Sequence, residues 1–131
     1  MEGITLANGI RLDIDLLYRP VAIADQLRVT ELLAAEWERT DVDWSSSLRG
    51  VYAESLMAVT AVGRYGDLDV GTASIAFPVD EPEIAVVENV TTLAEHRRCG
   101  IAAALTETLV QFTFDVGCRL CFLGNGRRAN E

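Results

Sequence analysis

The spacing of apolar positions switches between a two-residue and a helical period in the first part of the chain. Apolar and polar residues alternate over residues 10–16, which predicts a half-buried strand that ends before Pro20. Leucine and tryptophan side chains recur at helical spacing over residues 24–39 and predict a first helix. Three serines then precede an apolar residue, so a short second helix is expected within residues 45–52.

The second half of the chain predicts a hairpin followed by a β-α-β unit. Two β-prone runs are joined by a glycine-containing connection, and an apolar run, a long helical run and a short apolar run follow. The last two strands must be parallel and joined by a right-handed crossover. The predicted order is β-α-(α)-β-β-β-α-β, an α/β (α+β) mixed sheet. Its later elements are strands 56–62, 68–77, 84–92 and 119–123, hairpin connection 63–67 and helix 100–115.

A group of arginine and glycine residues stands where the central strand gives way to the long helix. The first amides of a helix have no intrahelical partner and carry partial positive charge, so they can hold a phosphate. Gly100 leaves room for a close approach, Ala102 keeps the first turn slim, and Arg97 and Arg98 add guanidinium groups. The pattern predicts an anion-binding cradle. Its single glycine argues against a Rossmann dinucleotide site, whose fingerprint has three.

The sequence Arg97-x-x-Gly100-x-Ala102 after a strand resembles the cofactor motif of the GNAT superfamily of acyl-CoA-dependent N-acyltransferases. The resemblance covers residues 57–123. It implies a GNAT-like mixed sheet, acetyl-CoA as the cofactor and an amine of a small molecule or peptide as the acceptor. We expect residues 1–131 to form a single acyl-CoA-binding domain.

The resemblance also implies which residues contact the cofactor. In GNAT proteins two neighbouring strands splay apart, and their free backbone groups bond the pantetheine arm as a further strand would. Carried over by position, the expected contacts are Thr91, Thr92, Leu93, Arg97, Arg98, Cys99, Gly100, Ile101 and Ala102. The alternative is an ordinary helix start with surface arginines.

Glu88 is the candidate general base. It sits in an otherwise apolar strand, where desolvation would raise its pKa, and glutamates often serve there in the resembling family. The alternative is that Glu88 faces solvent or pairs with an arginine of a neighbouring strand. His96 adjoins the cradle and is expected in a structural or phosphate-side position. A main-chain amide within residues 90–92 is the expected oxyanion donor.

The chain departs from the resembling family at its C-terminal end. A GNAT domain continues with another helix and two strands, and that helix commonly carries the tyrosine that protonates the leaving thiolate. We therefore expect a C-terminally truncated fold in which Tyr18, Tyr52, Tyr65 or solvent supplies the proton. Residues 119–123 would form an apolar edge strand, which predicts a homodimer, a partner-completed assembly or a piece of a longer protein.

The charge distribution excludes one class of partner and favours another. The 131 residues carry a net charge of −9, and all 11 basic residues are arginines. Residues 1–92 hold six arginines and 16 acidic residues, whereas residues 93–131 hold five and four. An acidic chain argues against nucleic acid and favours a cationic amine. No apolar run approaches a membrane span and no export signal precedes the fold, so a cytoplasmic protein is expected.

The three cysteines do not indicate a metal site. Cys118-x-x-Cys121 has no second pair and the chain has one histidine, so these two are expected to be buried apolar residues. Cys99 lies in the cradle, where amides and arginines can lower its pKa. Two functions remain open: an N-acetyltransferase acting on a primary amine, and a catalytically silent acyl-CoA-binding or protein-interaction domain.

Overall fold

A six-stranded sheet with one helix packed on each face forms the part of the chain that the structure describes. The structure is a computed structural model, and it describes residues 2–18, 21–37, 56–80 and 82–123. In chain order the elements are β1 (Glu2–Thr5), β2 (Arg11–Tyr18), α1 (Ile23–Trp37), β3 (Leu56–Tyr65), β4 (Leu68–Pro78), β5 (Ile84–Thr92), α2 (Ile101–Asp115) and β6 (Leu120–Leu123). A short 3₁₀ turn, Ala94–His96, lies between β5 and α2.

The strands lie in the sheet in the same order as in the sequence. Each neighbouring pair is antiparallel except β5 and β6, which are parallel and are connected through α2. A parallel pair needs such a crossover, whereas antiparallel neighbours need only a turn. The mixed α/β architecture predicted from the sequence is thus confirmed, including the parallel last pair.

Alternating strand residues divide the core between the two helices. Ala61 belongs to the apolar cluster that contains Leu105 and Leu109 of α2, whereas its neighbour Val62 belongs to the cluster that contains Val29 and Leu33 of α1. Because successive strand residues point to opposite faces, the helices cover opposite sides of the sheet. We refer to these sides as the α1 face and the α2 face.

The sequence analysis missed β1. This strand pairs with β2 through a turn in which Gly9 has φ +84° and the Asn8 side chain accepts a hydrogen bond from the Ile10 amide. Asn-Gly is a strong hairpin signal because it adopts the left-handed conformation readily. β1 has only four residues, which are too few for an alternation of apolar and polar positions to be recognised in the sequence.

The hairpin between β3 and β4 is tighter than predicted. Its turn consists of Gly66 and Asp67, and β3 runs on through Gly63 to Tyr65. Gly63 is buried in the sheet, where a β-carbon would come within 3.1 Å of Leu12 Cδ1, so its smallness serves packing rather than turning. The predicted helix within residues 45–52 lies outside the described residues.

Candidate active site

The start of α2 has the features of an anion-binding site. Gly100 is the N-cap residue, with φ +85° and no side-chain cap, and the first intrahelical bond runs from the Ala104 amide to the Gly100 carbonyl at 3.0 Å. The three preceding helical amides, at residues 101–103, have no acceptor among the described residues. Uncapped amides at a helix N-terminus attract negative charge through both hydrogen bonding and the helix dipole.

The space around these amides is open. A β-carbon built on Gly100 would have no heavy atom within 4 Å, and Gly100 is exposed. Arg98 also adopts a left-handed backbone, with φ +64°. Left-handed residues within a turn can orient neighbouring backbone amides toward one concave surface, which suits an anion. The cradle expected from the sequence therefore has both uncapped amides and room for a ligand.

The side chains next to the cradle divide into tethered and exposed groups. Arg97 donates from Nε to the Thr92 carbonyl at 3.2 Å, whereas the exposed Arg98 side chain has no partner among the described residues. Cys99 is partly exposed, and its Sγ lies 3.6 Å from the Arg97 carbonyl. Ile101 is 1% exposed and packs in the α2-face core, so only its backbone is open to a ligand.

The end of β5 offers fewer backbone groups than the sequence analysis expected. The Leu93 amide donates to the Val70 carbonyl at 2.9 Å, and the Leu93 carbonyl accepts from the His96 amide at 2.9 Å. The Thr92 carbonyl already accepts from Arg97. Thr91 is buried, and its hydroxyl donates to the Asn89 carbonyl at 3.3 Å. The Leu93 amide is therefore not available to a ligand, whereas the Leu93 and Thr92 carbonyls each have one acceptor position left.

The ladder between β5 and β6 covers only the first half of β5. Its described pairs run from Ile84 with Leu120 to Val87 with Leu123. The expected splaying of these two strands concerns the next residues of β5 and whatever follows Leu123, which lies outside the described residues. It stays a prediction.

A bulge in β5 shapes the middle of the site. Ser74 pairs with Glu88 and Thr72 with Thr91, so Asn89 and Val90 both stand opposite the one residue between Thr72 and Ser74. Asn89 has φ +55°, the left-handed conformation that accommodates such an extra residue. In a regular strand, residues 88 and 91 would point to opposite faces. The bulge places both on the α1 face.

Glu88 is exposed on this face, and the desolvation expected from its apolar neighbours in sequence is wrong. Those neighbours alternate: Val87 is buried in the α2-face core, but Val86 points to the α1 face with Glu88 and is itself exposed. No arginine partner of Glu88 is found in the described residues. The structure thus shows a Glu88 side chain that faces solvent, rather than one that is desolvated or paired with an arginine.

Hydroxyl groups beside Glu88 were not anticipated from the sequence. Thr60 Oγ1 and Ser74 Oγ lie 2.9 Å apart, and Ser74 stands directly opposite Glu88 in the ladder. Thr72 donates to the Ala61 carbonyl at 2.9 Å in the next row. These residues are spread over two strands with β-prone neighbours. Their shared orientation appears only once the strand register is known.

The two described tyrosines lie on the other side of the sheet. Tyr65 packs against the α2-face core and against His96, with ring centroids 5.4 Å apart. Tyr18 contacts Phe112 of α2 at 5.8 Å. Both rings are thus separated from Glu88 by the sheet, and His96 packs against a ring as the sequence analysis expected of a structural residue. Tyr52 lies outside the described residues.

Arg28 joins α1 to the sheet at the end of β5 where the cradle lies. Its guanidinium group bonds both carboxylate oxygens of Asp69 at 3.0 Å, Asp25 at 2.7 Å and Asp15 at 3.2 Å. The bonds to Asp69 contribute most to raising the pKa of Arg28, against an opposing effect of burial. The sequence analysis gave Arg28 no role, because its three partners lie on three different elements.

The expected burial of the other two cysteines is confirmed for Cys118 alone, since Cys121 is partly exposed and packs against the α2-face core. Cys118 is buried, and burial raises the pKa of its thiol, with smaller contributions from Cys121 and Glu83. Within residues 2–18, 21–37, 56–80 and 82–123, no group of three or more histidine, cysteine or carboxylate side chains is placed to hold a metal ion. No helix in those ranges is long and apolar enough to cross a membrane.

Sequence comparison identifies a family. The model of the acetyltransferase (GNAT) family matches residues 28–131, which include the cradle and Glu88. No curated protein sequence matches the chain.

Solved structures show the same fold at low sequence identity. One is a ribosomal-protein-alanine N-acetyltransferase from Brucella melitensis biovar Abortus 2308, with TM-score 0.64, 19% identity and coverage of 89% of this chain and 82% of that chain. Another is an aminoglycoside acetyltransferase from an uncultured soil metagenomic sample in complex with sisomicin, with TM-score 0.70, 15% identity and coverage of 91% and 80%. The aminoglycoside N-acetyltransferase AAC(6')-Iy in complex with CoA has TM-score 0.64, 14% identity and coverage of 88% and 79%.

Proposed function

The chain belongs to the GNAT family of acetyltransferases, and on that premise we propose that it is an N-acetyltransferase that uses acetyl-CoA to acetylate a primary amine of a small molecule or peptide. The observation that carries the proposal is the start of α2. Its amides at residues 101–103 have no acceptor among the described residues, and the space at Gly100 is open. A diphosphate fits this arrangement of donors.

The residues of the cradle would have different roles in holding the cofactor. The amides of Ile101 and Ala102 would bond the diphosphate, and the exposed Arg98 would add a charge-assisted contact. Arg97 would keep the end of β5 in place through its bond to Thr92. When bound, acetyl-CoA supplies an acetyl group activated as a thioester.

Glu88 would act on the acceptor. It lies four residues before Thr92, but because of the bulge this stretch spans only the three-residue distance from Ser74 to Gly71 on β4, roughly 10 Å. The arm between diphosphate and thioester would therefore run beside the second half of β5. Glu88 would accept a proton from the acceptor's ammonium group, and the freed amine nitrogen would attack the thioester carbonyl. The C–S bond would then break, and the nitrogen would lose its second proton to solvent as the amide forms. The departing thiolate would take its proton from solvent or from Tyr52, which lies outside the described residues, because Tyr18 and Tyr65 lie on the other face.

The second candidate is a catalytically silent acyl-CoA-binding domain. Two observations favour it: Glu88 is exposed, and neither described tyrosine lies on its side of the sheet. An exposed general base, with neither described tyrosine on its side of the sheet to donate a proton, would support slower transfer than a site that holds both groups.

The two candidates are separated by measuring turnover and binding on the same sample. Release of the CoA thiol from acetyl-CoA is followed over a panel of primary amines, and thermal stabilisation by CoA is measured alongside. The transferase predicts both signals. Stabilisation without amine-dependent thiol release would leave the silent domain, and the absence of both would reject the cradle itself.

The assembly state and the location are part of the same proposal. Among the described strands, β6 pairs only with β5, and its Leu120 and Phe122 are exposed. An unpaired apolar edge favours addition of a further strand, so we expect a homodimer or a partner-completed sheet in the cytoplasm. Light scattering on the purified chain tests the dimer.

A further inference from the structure

An apolar strip leads along the α1 face of the sheet to Glu88. Ile84 stands opposite Leu120 and Val86 opposite Phe122 in the ladder between β5 and β6. All four side chains are between 39% and 55% exposed. Residues 84, 86 and 88 alternate regularly before the bulge, so these four side chains, here called the apolar strip, lie on the same face as Glu88.

Glu88 lies between the apolar strip and the cradle. It is the middle residue of β5, with the strip on the half that precedes it and the cradle beyond the half that follows it. A cofactor held at the start of α2 would therefore reach Glu88 from one end of the strand. The acceptor would reach it from the other end, over the apolar strip.

Glu88 is the unpaired carboxylate among the described strand residues of the α1 face. Asp15 and Asp69 are bound by Arg28, and Asp13 is bound by Arg11. Among the described strand residues of the α1 face, Glu88 thus has no competing cation and no second free carboxylate beside it. One negative charge at the end of an apolar surface complements one ammonium group on an apolar body.

We propose that the acceptor is a monoamine with an aliphatic or aromatic body, whose ammonium group meets Glu88 and whose body lies on the apolar strip. The inference rests on the proposed acetyltransferase activity and adds its substrate class. A polycationic acceptor would place further charges over Ile84, Val86, Leu120 and Phe122, where their desolvation is not compensated. An apolar body is stabilised there by removal of its surface from water.

The test is a homologous series of amines with acetyl-CoA as the donor. We expect kcat/KM to rise from propylamine to hexylamine by up to about fourfold per methylene, the limit for full burial. 2-Phenylethylamine should resemble hexylamine, and spermidine and sisomicin should be poorer substrates.

Phe122→Ser and Val86→Thr should flatten the dependence of kcat/KM on chain length. Phe114→Ser is the matched control, because Phe114 is a similarly exposed phenylalanine on α2 and should leave the dependence intact.

Three outcomes of the activity measurements would overturn the inference. They are a flat series, a preference for spermidine or sisomicin, and a preference for octanoyl-CoA over acetyl-CoA, which would assign the strip to an acyl chain. A second copy of the chain on the strip would also overturn it, and would show as a dimer that Val86→Thr dissociates in light scattering, because Val86 lies on the strip but not on the edge strand β6.

The acceptor class can also be tested if the protein has no transferase activity. If no amine releases thiol, the amide resonances of Val86 and Phe122 are followed by NMR with CoA present. Shifts caused by hexylamine and not by spermidine would support the acceptor class even in a silent domain. No shift with hexylamine would reject it.

Discussion

Gly71 of β4 lies directly beneath Ile101, the first residue of α2. A β-carbon at Gly71 would come within 2.9 Å of Ile101 Cγ2 and 3.1 Å of the Thr91 carbonyl oxygen. The helix and the sheet can approach each other this closely only because Gly71 has no side chain. The start of α2, and with it the cradle, is therefore seated on the end of β4 beside Thr91.

Gly71→Ala is expected to destabilise the protein by about 1–3 kcal/mol, the usual cost of overpacking a filled core. One of its three close neighbours, the Thr91 carbonyl oxygen, is backbone and cannot rotate away. Gly63→Ala is the control, because its neighbours at 3.1 and 3.3 Å are leucine methyl groups that can shift. Urea denaturation measures both. Equal losses would show that the strand backbone at Thr91 yields as readily as a side chain.

Gly100→Ala is expected to weaken CoA binding about tenfold, roughly 1.4 kcal/mol, because its β-carbon would stand in the open space over the helical amides. Gly9→Ala is a close control: Gly9 has φ +84° against +85° at Gly100, and neither would meet another atom within 4 Å. Both variants carry the same left-handed strain. Calorimetric titration with CoA should separate them, and equal affinities would place the ligand elsewhere.

The sequence predicted the helices and strands more accurately than it predicted which residues lie together in the folded protein. Alternation at residues 10–16 located β2, because burial of one face imposes the two-residue period. The nearly continuous apolar run over residues 84–92 located β5, and the helical run from Gly100 located α2. The position of Glu88 was predicted correctly on β5, but its exposure was not. Exposure depends on which strand stands opposite and on the bulge at Asn89, and neither is encoded in local periodicity.

Arg28→Met is expected to cost about 2–3 kcal/mol, below the range for a fully buried ion pair because the Arg28 side chain is 23% exposed. Arg11→Met, at a pair whose arginine is mostly exposed, should cost much less. Because the folded state raises the pKa of Arg28 above its ordinary value, its contribution to stability is fully present below that ordinary value. It is lost only as the pH rises through the higher folded value. Urea titrations at pH 6 and pH 9 should therefore give the same difference from wild type, and a smaller difference at pH 9 would contradict this account.

Cys118 is expected to react with iodoacetamide more than about tenfold more slowly than Cys99. Burial raises the pKa of the Cys118 thiol and blocks access, and the thiolate is the reactive form. Cys99 is partly exposed in the cradle, so saturating CoA should slow its labelling. Mass spectrometry of peptides labelled at pH 8 measures both rates, and unfolding in urea should make them equal. Fast labelling of Cys118 in the native protein would contradict its burial.

Glu88→Gln is expected to lower kcat by about 10²–10⁴, the range for removal of a general base, and to leave thermal stabilisation by CoA unchanged. The exposed side chain contributes little to packing, so folding should be unaffected within about 0.5 kcal/mol. Glu107→Gln, at an exposed glutamate of α2, removes the same charge away from the site. If both variants retain wild-type kcat, Glu88 is not the base. If both lose activity equally, the effect is one of net charge, since the two substitutions share nothing else.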